Sequence, residues 1–489
     1  METADITQNA ETAAYGTKLL DYRFAGRDIY VISDLHIAAG LQSDGNYTGD
    51  ENFFADRSFG RFIDHLIINN ESTPALLIIN GDLIDFLRIC NIPEKQQDFE
   101  KWSALLAKIG ISKNIDELSR CIDKRERKFG LKTDDYKSVW KLYLSANGHP
   151  QVFDSLAKWL ASGHKLVITK GNHDLEWYWP AVRDFMNLLM AEKIAAAKTN
   201  TVAATLKDIV LPNLLFVDDN IVINKRIYIE HGHRYENFTT VDGPAVLKNE
   251  TELNLPFGSF FNRYLVNRIE LAYPYIDDVR PRENILSILI QERFPLAIKM
   301  LFYYVPLVLR VIPKQQYKYA LRYLFQFLLI IAIPLAITVF VILKFVYPVI
   351  KSPNANIWTD VFSAVKGILP LILSYFLGRL FAMLQLSPPG SLFKNAEAVF
   401  YKLPHIQVAT FGHTHDPEQK DTQLKKNRYY NTGTWIPVYE TDAADIRLDK
   451  TYTFLHLQTT AASDVPTTCL MRWNDDALRI DELILMDRK

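Results

Sequence analysis

Five short apolar runs in this chain each lead into a cluster of Asp, Asn and His residues, and the five come in one order. Arg27–Ile32 runs into Ser33-Asp34-Leu35-His36, and Leu76–Ile79 into Gly81-Asp82-Leu83-Ile84-Asp85. Leu166–Ile168 runs into Gly171-Asn172-His173-Asp174, Arg226–Ile229 into His231-Gly232-His233, and Ile406–Ala409 towards Gly412-His413-Thr414-His415. Short runs rich in branched apolar residues read as buried strands. Polar residues that follow such strands sit on loops at one edge of a sheet, where open α/β folds build their sites. The pattern predicts an α/β fold that brings Asp34 and His415 to the same edge.

The residue types suit a pair of divalent cations. A carboxylate has two oxygens and can bridge two ions, and Asp82 is the candidate bridge. Asp34 and His36 share a tight loop and can reach one ion together. Asn172 offers a neutral oxygen, and His231, His413 and His415 offer neutral nitrogens. Two cations, two carboxylates and one hydroxide leave a charge of about +1, which attracts phosphate. Glycine precedes Asp82, Asn172 and His413, which suits close backbone approach at a crowded site. Each motif alone is a plausible turn; the ordered set of five carries the reading. Asp85 either joins the site or braces its loop. His233 is read as a second-layer or substrate contact beside His231.

At these residues the chain resembles the calcineurin-like metallophosphoesterase superfamily, over 25–235 and 402–440. The resemblance implies a four-layer αββα sandwich around two divalent metal ions. By it, Asp34, His36, Asp82 and His415 hold one ion, and Asp82, Asn172, His231 and His413 hold the other. His173 stabilises the transition state or protonates the leaving oxygen, and Asp174 orients His173. The stretch Tyr429–Trp435 is similar to the structural strand that follows the family's last motif. Mixed nitrogen and oxygen ligands admit manganese, iron, zinc or cobalt, with manganese favoured. Within the superfamily, the Gly-Asp-Leu-Ile-Asp-Phe and Gly-Asn-His-Asp motifs and the apolar insertion resemble the UDP-2,3-diacylglucosamine pyrophosphatase-like branch. Two features depart from it: His233 stands where that branch usually has Asp, and both insertions are longer.

The insertions divide the 489 residues into a catalytic domain in three parts, 1–86, 161–235 and 402–489. The first insertion, 87–160, is charged, with Leu105, Leu106, Ile109 and Ile111 at helical spacing, and is expected to be helical. The second, 236–401, is apolar. Tyr323–Leu343 contains no charged residue and would make about 31 Å of helix, enough for a hydrocarbon core. Residues 361–384 are also apolar, and 284–312 mixes apolar residues with Glu292, Arg293, Lys299 and Arg310, as an interfacial helix does. Motifs precede and follow this insertion and must meet on one side of any bilayer, so it crosses an even number of times. The expectation is a membrane hairpin at about 323–384. Arg310, Lys314, Lys318, Arg322, Lys394 and Lys402 flank it and favour a catalytic domain on the cytoplasmic face; a buried helical pair is the soluble alternative.

Formal net charge is −1, so no basic field recruits nucleic acid. Cys90, Cys121 and Cys469 are far apart and suit a reducing compartment. The polar start Met1–Asp5 lacks the pattern of a secretion signal. The chain is expected to be an enzyme, a metal-dependent phosphoesterase. Its substrate would be a phosphorylated lipid or lipid-linked molecule at the membrane. A soluble nucleotide or phosphoprotein substrate, and a non-catalytic metal-binding scaffold, are the alternatives. Arg88, Trp177, Tyr178 and Arg183 lie near motifs and read equally as substrate contacts or as packing.

Overall fold

The computed structural model describes residues 19–485 except 43–44, 48–49, 242, 248–250, 274–278, 281–287, 290, 313–316, 318–320, 322–390, 423–426, 441–444, 447–449 and 461–462. The expected membrane hairpin, 323–384, lies outside the described residues. Among the described residues the chain is mixed α/β, with two large mixed sheets and a small three-stranded one, and it divides into two compact units. The first comprises 1–274, 389–438 and 446–489 and contains all five motifs; the second comprises 275–388 and 439–445. Residues 236–274 and 389–401, read from sequence with the apolar insertion, belong to the first unit.

In chain order the strands are β1 (Leu19–Tyr22), β2 (Asp28–Ile32), β3 (Leu76–Asn80), β4 (Lys165–Thr169), β5 (Leu214–Val217), β6 (Asn220–Ile223), β7 (Ile227–Glu230), β8 (Val279–Arg280), β9 (Val408–Phe411), β10 (Glu418–Asp421), β11 (Arg428–Asn431), β12 (Tyr439–Glu440), β13 (Asp445–Ile446), β14 (Thr453–Thr460), β15 (Ser463–Asn474) and β16 (Arg479–Glu482). A seven-stranded sheet runs β16-β15-β14-β2-β3-β4-β5, a six-stranded sheet runs β1-β6-β7-β9-β11-β10, and the small one runs β13-β12-β8. Strands β2 to β5 are mutually parallel, and β7 is parallel to β9. Ile32 pairs with Ile79 and Ile79 with Ile168, so β2, β3 and β4 end level.

Side chains alternate between faces along a strand. Ile29 and Val31 of β2 and Leu76 and Ile78 of β3 share a core with Ile221, Ile227 and Ile229 of the six-stranded sheet. Tyr30, Ile32, Leu77 and Ile79 face the other way, into a second core with helices α1 (Asp56–Asn69), α2 (Pro150–Ala161) and α3 (Pro180–Lys198). Both faces of these strands are thus covered, which is why their sequences are apolar without a break. On the far side of the six-stranded sheet, Val222, Tyr228 and Phe411 pack on the helix Phe393–Lys402.

The 87–160 stretch is helical, as expected, and is built into the second core. Trp102, Trp140 and Trp159 lie in the same cluster as Ile79, Ile84 and Phe86. In the second unit β8 pairs in parallel with β12. Its helical run Phe294–Val311 has 18 residues and mean hydropathy 1.5, long and apolar enough to cross a membrane by length and composition.

Candidate metal centre

The motifs occupy the C-terminal ends of β2, β3, β4, β7 and β9, and the two sheets are tied together there. Asn80 at the end of β3 donates its side-chain amide to the carbonyl of Glu230 at 2.8 Å, and its own carbonyl lies 2.8 Å from His231 Nδ1. Backbone bonds join the loops as well: His36 N–H to Asp82 O at 2.9 Å, and Gly412 N–H to His231 O at 2.9 Å. Thr434 Oγ1 and Trp435 N–H both donate to Asp34 O, so the stretch after the last motif holds the first one.

Backbone strain concentrates at the site. Asp34, His36, Asp82, His413 and His415 all have left-handed φ, between 50° and 71°. Each such non-glycine residue costs about 1 kcal/mol or more and persists only where its surroundings enforce it. Close approach is enforced by missing side chains. A Cβ on Gly171 would lie 2.1 Å from Asp82 Oδ1, and one on Gly412 would lie 2.7 Å from Asp34 Oδ2.

Three groups of ligand atoms form, each within a 4.8 Å span: Asp34, His36 and His415; His36, Asp82 and His173; and Asp82, His231 and His413. Asp82 belongs to two of them. His231 Nε2 lies 3.0 Å from Asp82 Oδ2 and 4.0 Å from Asp34 Oδ1, and His415 Nε2 lies 3.4 Å from Asp34 Oδ1. His36 Nε2 is 3.0 Å from His415 Nε2 and 3.7 Å from both Asp34 and Asp82. Asn172 is buried beside Gly171, and among the described residues its Oδ1 finds no hydrogen-bond partner. Asp34 Oδ1 and His231 Nε2 likewise make no well-directed hydrogen bond, although each faces an oppositely charged neighbour in the cluster. Buried polar atoms without partners are expensive, and these three come from three separate motifs.

Three imidazoles are fixed through the nitrogen that faces away from this cluster. His231 Nδ1 is held by Asn80 O, His36 Nδ1 lies 3.3 Å from Asp85, and His413 Nε2 lies 2.9 Å from Glu236 Oε2. Metal-ligating histidines are oriented in this way. Burial alone would raise the pKa values of Asp34 and Asp82, but neighbouring imidazoles, His231 foremost, hold both well below the carboxylate range. Burial alone would lower that of His231, and Asp82 and Asp34 instead raise it to about 9. The cluster therefore favours positive charge at its centre. Its donor set, strain and unpartnered atoms fit divalent cations.

The expected contact between Asp174 and His173 is corrected by the structure. Asp174 accepts from Leu83 N–H at 2.9 Å, Gly171 N–H at 2.6 Å and Trp177 Nε1 at 2.9 Å. Those donors engage both of its oxygens, and among the described residues no hydrogen bond joins it to the imidazole. His173 Nδ1 instead lies 2.8 Å from Asp85 Oδ2, and its backbone N–H donates to Asp82 Oδ1 at 2.8 Å. Asp85 thus joins the site as well as its loop, where its Oδ1 accepts from Leu87 and Arg88 N–H. His233 stands beside the cluster, its ring 5.5 Å from His231 and 6.5 Å from His413.

Of the four residues with two readings, Trp177 is buried and Arg88 pairs with Asp85 and Glu270. Arg183 is tied to Trp177 O and Asp218, and Tyr178 is 38% exposed. Sequence reading missed Asn80 and Glu236. The carbonyl of Asn80 carries no sequence signal, and Glu236 lies 177 residues from His413, the ring it meets, so its spacing carries none either. No protein-family model matches the chain, and no curated protein matches it.

Proposed function

We propose that the chain is a dinuclear, metal-dependent phosphoesterase of calcineurin-like type. The observation that carries this is the convergence of Asp34, His36, Asp82, His231, His413 and His415 into three adjoining ligand groups, linked through His36 and Asp82, which each belong to two of them. The order of the three cores supports the four-layer αββα reading. Asp34, His36, Asp82 and His415 would hold one cation, and Asp82, Asn172, His231 and His413 the other. Bound there, the cations would supply Lewis-acid stabilisation of the phosphoryl oxygens and a nucleophile at neutral pH.

The protein's own groups do the rest. His173 has Nδ1 committed to Asp85, so Nε2 is the nitrogen left to protonate a leaving oxygen. As the oxygen of a water bonds to phosphorus and that water gives up a proton to solvent, the bond to the leaving oxygen breaks and that oxygen takes the proton from His173 Nε2, which solvent then restores. Proton transfer of this kind contributes about 10²- to 10⁴-fold. Asp85 holds the ring and balances its charge.

The substrate we assign is a phosphoester or diphosphate of a lipid or lipid-linked molecule, presented at the cytoplasmic face of a membrane. The apolar helix Phe294–Val311 and the uncharged sequence Tyr323–Leu343 support this part. The test is a hydrolysis screen of the full chain with added manganese, comparing a lipid diphosphate in vesicles with a soluble diester. Preference for the lipid is expected. Preference for the soluble diester would move the substrate to nucleotides or phosphoproteins, and no turnover of either would remove the enzyme reading.

A further inference from the structure

Asp85 Oδ2 is a crowded atom. It lies 2.8 Å from His173 Nδ1, 3.1 Å from Arg88 Nε and 3.3 Å from His36 Nδ1. The Leu87 and Arg88 N–H groups hold the other oxygen, Oδ1, and the guanidinium of Arg88, which also reaches Asp50 O at 3.4 Å, is the remaining side-chain group that sets the direction of Oδ2. Arg88 is 3% exposed, so it has almost no water to fix it. Its Nη1 donates to Glu270, which is fully buried.

Glu270 comes from a different part of the chain. Residues 257–270 form one helical run, Phe257–Phe261, Asn262–Val266 and Asn267–Glu270. Arg263, Asn267 and Glu270 are spaced four and three apart and share a face. All three are buried. Arg263 donates to Gly130 O at 2.6 Å, Asn267 to Leu87 O at 2.7 Å, and Glu270 receives Arg88. The run thus addresses the Asp85–Arg88 loop with polar groups, where packing alone would use apolar ones. A buried ion pair contributes little net stability over apolar side chains of similar volume. What this pair supplies is direction: it fixes the plane of the guanidinium, and so the oxygen that faces His173.

We propose that Glu270 is a positioning residue for His173, acting through Arg88 and Asp85. The proposal rests on the phosphoesterase reading for its consequence in turnover, but not for its geometry. Glu270 lies in the last described element of the first unit before Tyr275 opens the second.

Two measurements on the full chain test this. The first is independent of turnover. With ¹⁵N-labelled histidine, of which there are 11, the Nδ1 proton of His173 is assigned by its loss in His173→Gln. It is expected to be sharp and slow to exchange in the wild type, and broadened or lost in Glu270→Gln. An unchanged, slowly exchanging proton in folded Glu270→Gln overturns the proposal, whatever the protein hydrolyses. The second is kinetic. Glu270→Gln should lower kcat by about tenfold or more at saturating manganese, as small misplacements of a reacting group do, with KM unchanged. In a His173→Ala background it should add nothing, because the two act as one unit. Additive losses, or a raised KM at constant kcat, overturn it. Arg88→Met with Glu270→Leu removes the charges together and guards against misfolding; a folded double variant with wild-type kcat also overturns it. A wild type that hydrolyses no phosphoester contradicts the functional reading, and the proton measurement still decides the proposal.

Discussion

Asp85 Oδ2 lies 2.8 Å from His173 Nδ1, although Asp174 is the carboxylate next to His173 in the chain. The closer neighbour in sequence is spent on the backbone of its own loop, and the more distant one reaches the ring. Asp85→Asn should therefore lower kcat about 10²-fold at saturating manganese, the low end of what a positioned proton donor contributes, and, since Oδ2 also lies 3.3 Å from His36 Nδ1, weaken manganese binding. Asp174→Asn should act on folding instead. It leaves an amide facing N–H donors, and a loss of about 2 kcal/mol in denaturant unfolding is expected. The reverse pattern would restore Asp174 as the orienting group.

Glu236 grips His413 from the side away from the cluster, at 2.9 Å. Partners of ligating histidines change metal affinity by about 10- to 100-fold. Glu236→Gln should weaken manganese binding within that range in a calorimetric titration, with the thermal midpoint of the metal-free protein little changed. Unaltered affinity would show that His413 needs no such support.

Gly171 leaves no room for a methyl group, since its Cβ would meet Asp82 Oδ1 at 2.1 Å and Asp82 N at 2.6 Å. Gly171→Ala should displace Asp82 and reduce metal stoichiometry by mass spectrometry. A fully loaded alanine variant would mean that the loop carrying Asn172 can retreat freely.

His149 sets a pH dependence of stability outside the candidate centre. Burial alone would lower its pKa, but hydrogen bonds to Asp56 and Glu51, with their charges, raise it to about 9. The ring lies 3.0 Å from each carboxylate. An unfolded histidine titrates near 6.5, so the charged form stabilises the fold fully below about pH 6.5. That contribution, about 3 kcal/mol, is lost as pH rises through about 9. Subtracting the unfolding curve of His149→Gln from that of the wild type should reveal a decline across this window. Parallel curves would assign the stabilisation elsewhere.

Much of the scaffold was legible because it obeys simple periods. Runs such as Leu76–Ile79 are apolar at every position since both sheet faces are covered, and a polar break after each marks a loop at the strand ends. The ligand candidates were legible because cations need particular atoms. Roles settled by side-chain direction were not. The resemblance assigns Asp174 to His173 and leaves Asp85 to the site or its loop; the N–H donors of Leu83, Gly171 and Trp177 on Asp174 and the 2.8 Å approach of Asp85 to His173 separate the two. Arg263, Asn267 and Glu270 lie in a stretch read as apolar insertion. Their spacing marks a polar helical face, but nothing in the sequence tells what that face meets.

The central claim is that Asp82 is shared by two cations. Metal analysis of the purified full chain, paired with phosphodiester hydrolysis, tests it most directly. The account predicts two transition-metal ions per wild-type chain, and fewer than one with loss of hydrolysis in a folded Asp82→Ala variant. A well-folded wild type that takes up no transition metal, or an Asp82→Ala variant that keeps both ions, would contradict it.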